Sequence, residues 1–300
     1  MTIEKLDEEG TLLWELEETV KEVAQVKMIT SELKLTDQVI NSDMQAGVEF
    51  EFYSKYIDPE DFETFMVNVI EAVSKINDTN IISNLNRSDN SIHNPDYKMF
   101  EIKRDDSLVT NAFGIEMTTP KTKVSRMPYY IDEVFRIIRI YGSTDATAGV
   151  HLNLSLGNTY SIDFWKFILL MEHHGLLSSW TSRICSTNVM DLLNCIKEKE
   201  AKIQKGKRTG WNVELKDSKR NFIEIRTIGG EDYEYKSEQV IKELQQICEI
   251  FISAATPGHE QKLYDELKLA QDLKVAKISK IKIKKYNEAM ERIGIEYKYT

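Results

Sequence analysis

The sequence predicts a mixed α+β domain in which amphipathic strands pack one face against helices and turn a polar face the other way. Three observations carry this. In GVHLNLSL, Val150, Leu152 and Leu154 alternate with His151, Asn153 and Ser155, the period-two pattern of a strand with one apolar and one polar side. Four other segments repeat it: GVEFEF sets Val48, Phe50 and Phe52 against Glu49 and Glu51, FEIKRDD puts Glu101, Lys103 and Asp105 on one side, GIEMTTP sets Ile115 and Met117 against Glu116 and Thr118, and NFIEIR sets Ile223 and Ile225 against Glu224 and Arg226. Between and after these segments lie runs with apolar residues at helical spacing.

Taken in order, residues 1–43 predict an N-terminal helical extension, acidic, with Leu12, Leu13, Leu16, Val20 and Val23 recurring at helix spacing. After GVEFEF, Asp58 is a natural N-cap and Pro59 suits the first helical position, so a helix is expected to reach about Ile76 with Phe62, Phe65, Val69 and Val73 buried. Residues 77–97 turn to Asn, Ser and Asp and read as a candidate substrate loop with one short strand at most. Pro128 opens the next helix, which buries Ile131, Val134, Phe135 and Ile138 and ends at Gly142. Ser161 is expected to cap a helix ending near Gly175, and Thr187 or Asn188 precedes another that runs into the charged KEKEAKIQKGKR. NFIEIR is the last clear strand. A helix from about residue 238 to 254 follows, Pro257 and Gly258 close it, and residues 257–300 form a Lys-rich C-terminal extension.

Composition bounds the function. With 300 residues and 41% apolar content the chain has enough material for a core of ordinary size. A net charge of -10 argues against general nucleic-acid binding, which needs surplus Lys and Arg to neutralise phosphates. The three cysteines, Cys185, Cys195 and Cys248, are odd in number and sit in apolar helical contexts, as reduced core thiols do. There is no apolar run near the ~20 residues of a membrane span, and MTIEKLDEEG lacks the pattern of a signal peptide. The expectation is a soluble, cytoplasmic protein with no membrane partner.

The chemistry is expected on the polar strand faces. Glu49, Glu51, Asp105, Glu116, His151 and Glu224 brought to one place would repel one another unless cations compensated them. Oxygen-rich sets of this kind, with imidazole tolerated, hold hard cations such as Mg2+ or Mn2+. Arg226, two residues after Glu224 on the same side, suits a phosphate oxygen, and metal plus arginine describes phosphoryl transfer. A single acidic strand is more often a plain solvent-facing surface, and a lone histidine more often structural; the conjunction of five strands is what raises the chemical reading. His173 and His174 lie at a helix end and are left out of the site.

The order GxExE, DxS, GIExxxP, GVHxN, ExR resembles the amidoligase branch of the glutamine synthetase-like carboxylate-amine ligases, over roughly residues 45–255. The resemblance implies an α+β fold with a curved antiparallel sheet forming a funnel-shaped active site and helices on the outer face, carried here by residues 44–256. It implies ATP and Mg2+ or Mn2+ as cofactors, and a carboxylate and an amine, small molecules or peptides, as substrates joined through an acyl phosphate. A homo-oligomer is compatible with it. Carried over, Glu49, Glu51, Glu116, His151 and Glu224 would hold metal, and Arg226 would steady the transferring phosphoryl group. Asp105 and Ser107 match DxS, where the acid would help the amine lose a proton. Asn153 stands where a second histidine is common and would contact phosphate or carboxylate. Thr118 and Thr119 replace the usual Val-Ser before Pro120. Arg104, Lys103 or Arg183 would add positive charge for the nucleotide, since no Gly-rich phosphate loop is present. Two other classes stay open: an inactive binding or structural protein with the same fold, and a metal-dependent hydrolase that works without ATP.

Overall fold

The long strand β1 (Gln45–Ser54) is the element on which the sheet is centred. A computed structural model describes residues 39, 43–55, 59–76, 81–84, 98–105, 108, 113–156, 161–180, 213–217, 222–272, 280 and 284. The N-terminal helix, the Asp58 cap, Ser107, Arg183, Cys185, Cys195, the helix after Asn188 and most of the Lys-rich segment lie outside the described residues. Those described belong to one unit, Leu33–Thr300.

After β1 come α1 (Pro59–Ser74), β2 (Ile81–Asn84), β3 (Phe100–Arg104), β4 (Gly114–Thr118) and β5 (Thr122–Lys123). Next are α2 (Met127–Tyr141), β6 (Gly142–Ser143), β7 (Gly149–Ser155) and α3 (Phe164–His173). The series ends with β8 (Val213–Asp217), β9 (Phe222–Gly229) and α4 (Ser237–Ala255). The nine strands form one open sheet in the order β2-β3-β4-β1-β7-β9-β8, with β5 and β6 pairing with the two ends of β1. Every pairing is antiparallel except β2 with β3, which is parallel.

The apolar sides of the strands do what their alternation requires. Val48, Phe50, Phe52, Phe100, Ile102, Ile115, Met117, Leu152, Leu154, Ile223 and Ile225 are all buried in one core with the helices. On α2, Phe135 meets Phe50 edge-on at 5.7 Å and Tyr130 meets Phe100 at 5.4 Å. Each such pair adds about 0.5–1.5 kcal/mol beyond area burial. The α3–α4 pair closes through Phe167 against Phe251 at 5.7 Å. Tyr264, in the helical stretch 261–272, joins the same core.

Of three local features, two differ from the sequence reading. Asp163, not Ser161, caps α3, its carboxylate accepting from the Lys166 N–H at 3.0 Å. Gly142 ends α2 as expected, with an extended φ of -124°; what it supplies is space, since a Cβ there would lie 2.6 Å from Phe52 Cδ2. Strand β8 was not expected; Val213 and Leu215 pair beside Ile225 and Ile223.

One irregularity shapes the site. Leu152 pairs with Ile225 but Val150 pairs with Ile228, so β9 carries an extra residue opposite His151. Ile225 and Ile228 both face the core, which leaves Arg226 and Thr227 together on the other side. The β1–β7 pairing extends to Phe50 and Val150. At the next residue the Glu51 carbonyl accepts from the buried Tyr233 hydroxyl at 2.8 Å, so the backbone group past the ladder is still satisfied.

Candidate active site

Strand register, added to parity, brings the polar residues together. Glu49 on β1 faces His151 on β7 and Thr118 on β4; Glu51 faces Glu116; Asn153 faces Glu224. The centre of the cluster is His151, only 3% exposed. Its Nδ1 lies 3.2 Å from Glu49 Oε2 and 3.5 Å from Glu224 Oε1, and its Nε2 lies 3.4 Å from Glu51 Oε1. Glu224 is fully buried and accepts from Arg226 Nε at 2.6 Å.

Two neighbours hold these groups. Asn153 donates from Nδ2 to Glu49 Oε1 at 2.9 Å, so the residue in the second-histidine position orients a carboxylate of the cluster. Thr118 donates to Glu116 Oε1 at 3.3 Å, while Thr119 accepts the Val48 N–H at 2.9 Å and ties β4 to β1. The Thr-Thr pair thus has a structural use in this chain.

Ligand atoms from Glu49, His151 and Glu224 all lie within 4.8 Å of one another. Two carboxylate oxygens and an imidazole nitrogen are donors that a hard divalent cation accepts. On β9 at the residue pair opposite His151, Thr227 is 4% exposed and its hydroxyl has no hydrogen-bond partner among the described residues, and neither does Asn153 Oδ1. Buried polar atoms in that condition mark a place where another group is expected. The residues fit a metal ion.

Glu116 is held differently. Lys103 on β3 is its cross-strand partner and its ammonium lies 2.7 Å from Glu116 Oε1. Arg104 does not share this face: one residue on from Lys103, it has the parity of the core-facing Ile102 and lies over the Phe113 ring at 5.2 Å. This parity follows from the same alternation that groups Glu101, Lys103 and Asp105. Asp105 follows β3, half-buried, its N–H donating to the Gly114 carbonyl at 2.8 Å. A Cβ on Gly114 would lie 2.3 Å from the Asp105 carbonyl oxygen, so this approach requires glycine. Thr227 was missed from sequence, although the spacing Ile223, Ile225, Ile228 signals the extra residue.

The electrostatics predict a pH dependence. Burial and the Glu49 charge push the Glu116 carboxyl above its ordinary 4.5, against the opposing pull of Lys103. Burial alone would lower His151, but the Glu51 charge and hydrogen bonds to Glu49 and Glu51 outweigh it and hold the imidazole above 6.5. Both groups therefore bind more protons folded than unfolded just above their ordinary values. The metal-free protein should lose stability as pH rises from about 5 to 8. Metal bound at His151 must displace the imidazolium proton, so the gain in Tm from Mn2+ should be larger at pH 8 than at pH 5.5. Thermal unfolding with and without Mn2+ at the two pH values measures this; a gain independent of pH would count against the cluster as the binding place.

No family model matches the chain, and no curated protein matches it. Among solved structures it is similar to one described as a "novel glutamine synthase homolog", with a TM-score of 0.41 and 11% identity over 76% of this chain and 61% of that one. The chain thus spans about three-fifths of that protein's length. Among the described residues no helix is long and apolar enough to cross a membrane. Cys248 is buried in α4 with its thiol pKa pushed up by burial, as an inert core thiol would be.

Proposed function

We propose that the chain is an ATP-dependent carboxylate-amine ligase. The observation that carries this is the grouping of Glu49, His151 and Glu224 around one point, with Arg226 fixed on Glu224. Glu49, His151 and Glu224 would hold Mg2+ or Mn2+, with Glu51 on the far nitrogen of the imidazole. The ion, when bound, supplies charge compensation for the ATP phosphates. Arg226, oriented through its Nε, would meet the equatorial oxygens of the transferring phosphoryl group. The substrate carboxylate oxygen attacks the γ-phosphorus and ADP leaves, giving an acyl phosphate. The amine nitrogen then attacks the acyl carbon, phosphate leaves, and the nitrogen gives up a proton. Asp105 is assigned to accept that proton, and Asn153 to keep Glu49 in place.

The test is ATP turnover with Mg2+ over a matrix of carboxylic acids and amines, read by phosphate release and by mass spectrometry of the product. The expected result is phosphate formed only with an acid present, and an amide equal in mass to acid plus amine less one water. Amide or ester cleavage without nucleotide would replace this reading with the hydrolase. Binding of ATP and metal with no turnover across the matrix would favour an inactive binding protein.

A further inference from the structure

A row of three residues crosses the polar side of the sheet: Lys103 on β3 faces Glu116 on β4, which faces Glu51 on β1. Two donors converge on one oxygen of Glu116, the Lys103 ammonium at 2.7 Å and the Thr118 hydroxyl at 3.3 Å. Glu116 is outside the trio whose ligand atoms lie within 4.8 Å of one another. A carboxylate facing other carboxylates needs a cation, and there are two ways to provide one: a second divalent ion, or a positive side chain built into the sheet. Lys103 already occupies the second role.

The ion pairs point the same way. Those of His151 run to Glu49, Glu51 and Glu224, whereas that of Glu116 runs to Lys103. Thr227, whose buried hydroxyl has no partner among the described residues, stands at the irregularity of β9 opposite His151, with β7 and β1 between it and the strand of Glu116.

Resting on the reading of Glu49, His151 and Glu224 as a metal site, we propose that this protein binds a single divalent ion in the absence of nucleotide, and that the Lys103 ammonium takes the place of a second ion at Glu116. Lys103 is then a positioning residue: it fixes Glu116 whatever the metal concentration. Its removal should open Glu116 and Glu51 to another cation.

The experiment is Mn2+ titration of the full chain without nucleotide, followed by calorimetry and by the electron paramagnetic resonance signal of unbound Mn2+. The parent is expected to bind one ion, Lys103→Met two, the second more weakly, and Lys103→Arg one. Two ions on the parent would overturn the inference while leaving the metal site intact. One ion on both parent and a folded Lys103→Met would overturn the replacement role, as would two ions on Lys103→Arg. No ion on the parent would instead remove the metal site itself. Thermal unfolding of each variant checks the fold, and the parent's stoichiometry decides the main point even if Lys103→Met does not fold.

Discussion

Glu224→Gln is expected to lower Mn2+ affinity by about 10² to 10³-fold and to bring ATP turnover down at least as far. Glu224 is fully buried, and its Oε1 is shared between His151 Nδ1 at 3.5 Å and Arg226 Nε at 2.6 Å. The substitution keeps the shape of the side chain and removes its charge. Removing one partner of a buried charge group costs about 3–5 kcal/mol, which is the scale of that loss in binding. The amide also presents an N–H2 that cannot coordinate a cation, and Arg226 loses the carboxylate that orients it. Calorimetric titration with Mn2+, then steady-state phosphate release, measures both effects. Parent-like Mn2+ affinity would show that Glu224 is not a ligand.

Arg226→Lys separates binding from chemistry. Lysine keeps one positive charge but loses the planar fork that can hold Glu224 through one nitrogen and address phosphate oxygens with the others. Its benefit in the ligase reading is greatest as charge spreads over the transferring phosphoryl group, so phosphate formation in a single turnover should fall by about 10² to 10³-fold, the scale for losing one preorganised donor. Mn2+ affinity should stay within about tenfold of the parent, because the change touches an orienting neighbour of the ligand and not the ligand. Unchanged phosphate formation would remove the role given to Arg226. A matching collapse of metal binding would make Arg226 chiefly a support for Glu224.

How much of this was legible in the sequence depends on whether the signal was local. The grouping of Glu49, Glu51, Glu116, His151, Glu224 and Arg226 away from the core follows from alternation within each strand, and α1, α2, α3 and α4 followed from their stripes. Asp163 and Ser161 are both good cap residues two positions apart, and only the path of the chain into α3 decides between them. Register is nonlocal: nothing within FEIKRDD says that Lys103 will stand opposite Glu116, nor that Ile81 will run parallel to Phe100. The parity of Arg104, opposite to that of Lys103, was by contrast a local signal. Thr227 shows a different limit. A strict period of two hides a residue that exists because the period breaks.

The position of the cluster in the strand order has a further meaning for how the protein opens. β1 lies between β4 and β7, and β7 between β1 and β9, so the backbone around Glu49 and His151 has partner strands on both sides. β2 and β8, at the ends of the order, lack that double protection among the described strands. Amide hydrogens on β1 and β7 should therefore exchange with solvent only when the whole domain unfolds, while those of β2 and β8 exchange through smaller openings. A cation held by Glu49, His151 and Glu224 cannot be let go by fraying of its own strands. Its exit must be set by side-chain and solvent motion and not by local opening of β1 or β7.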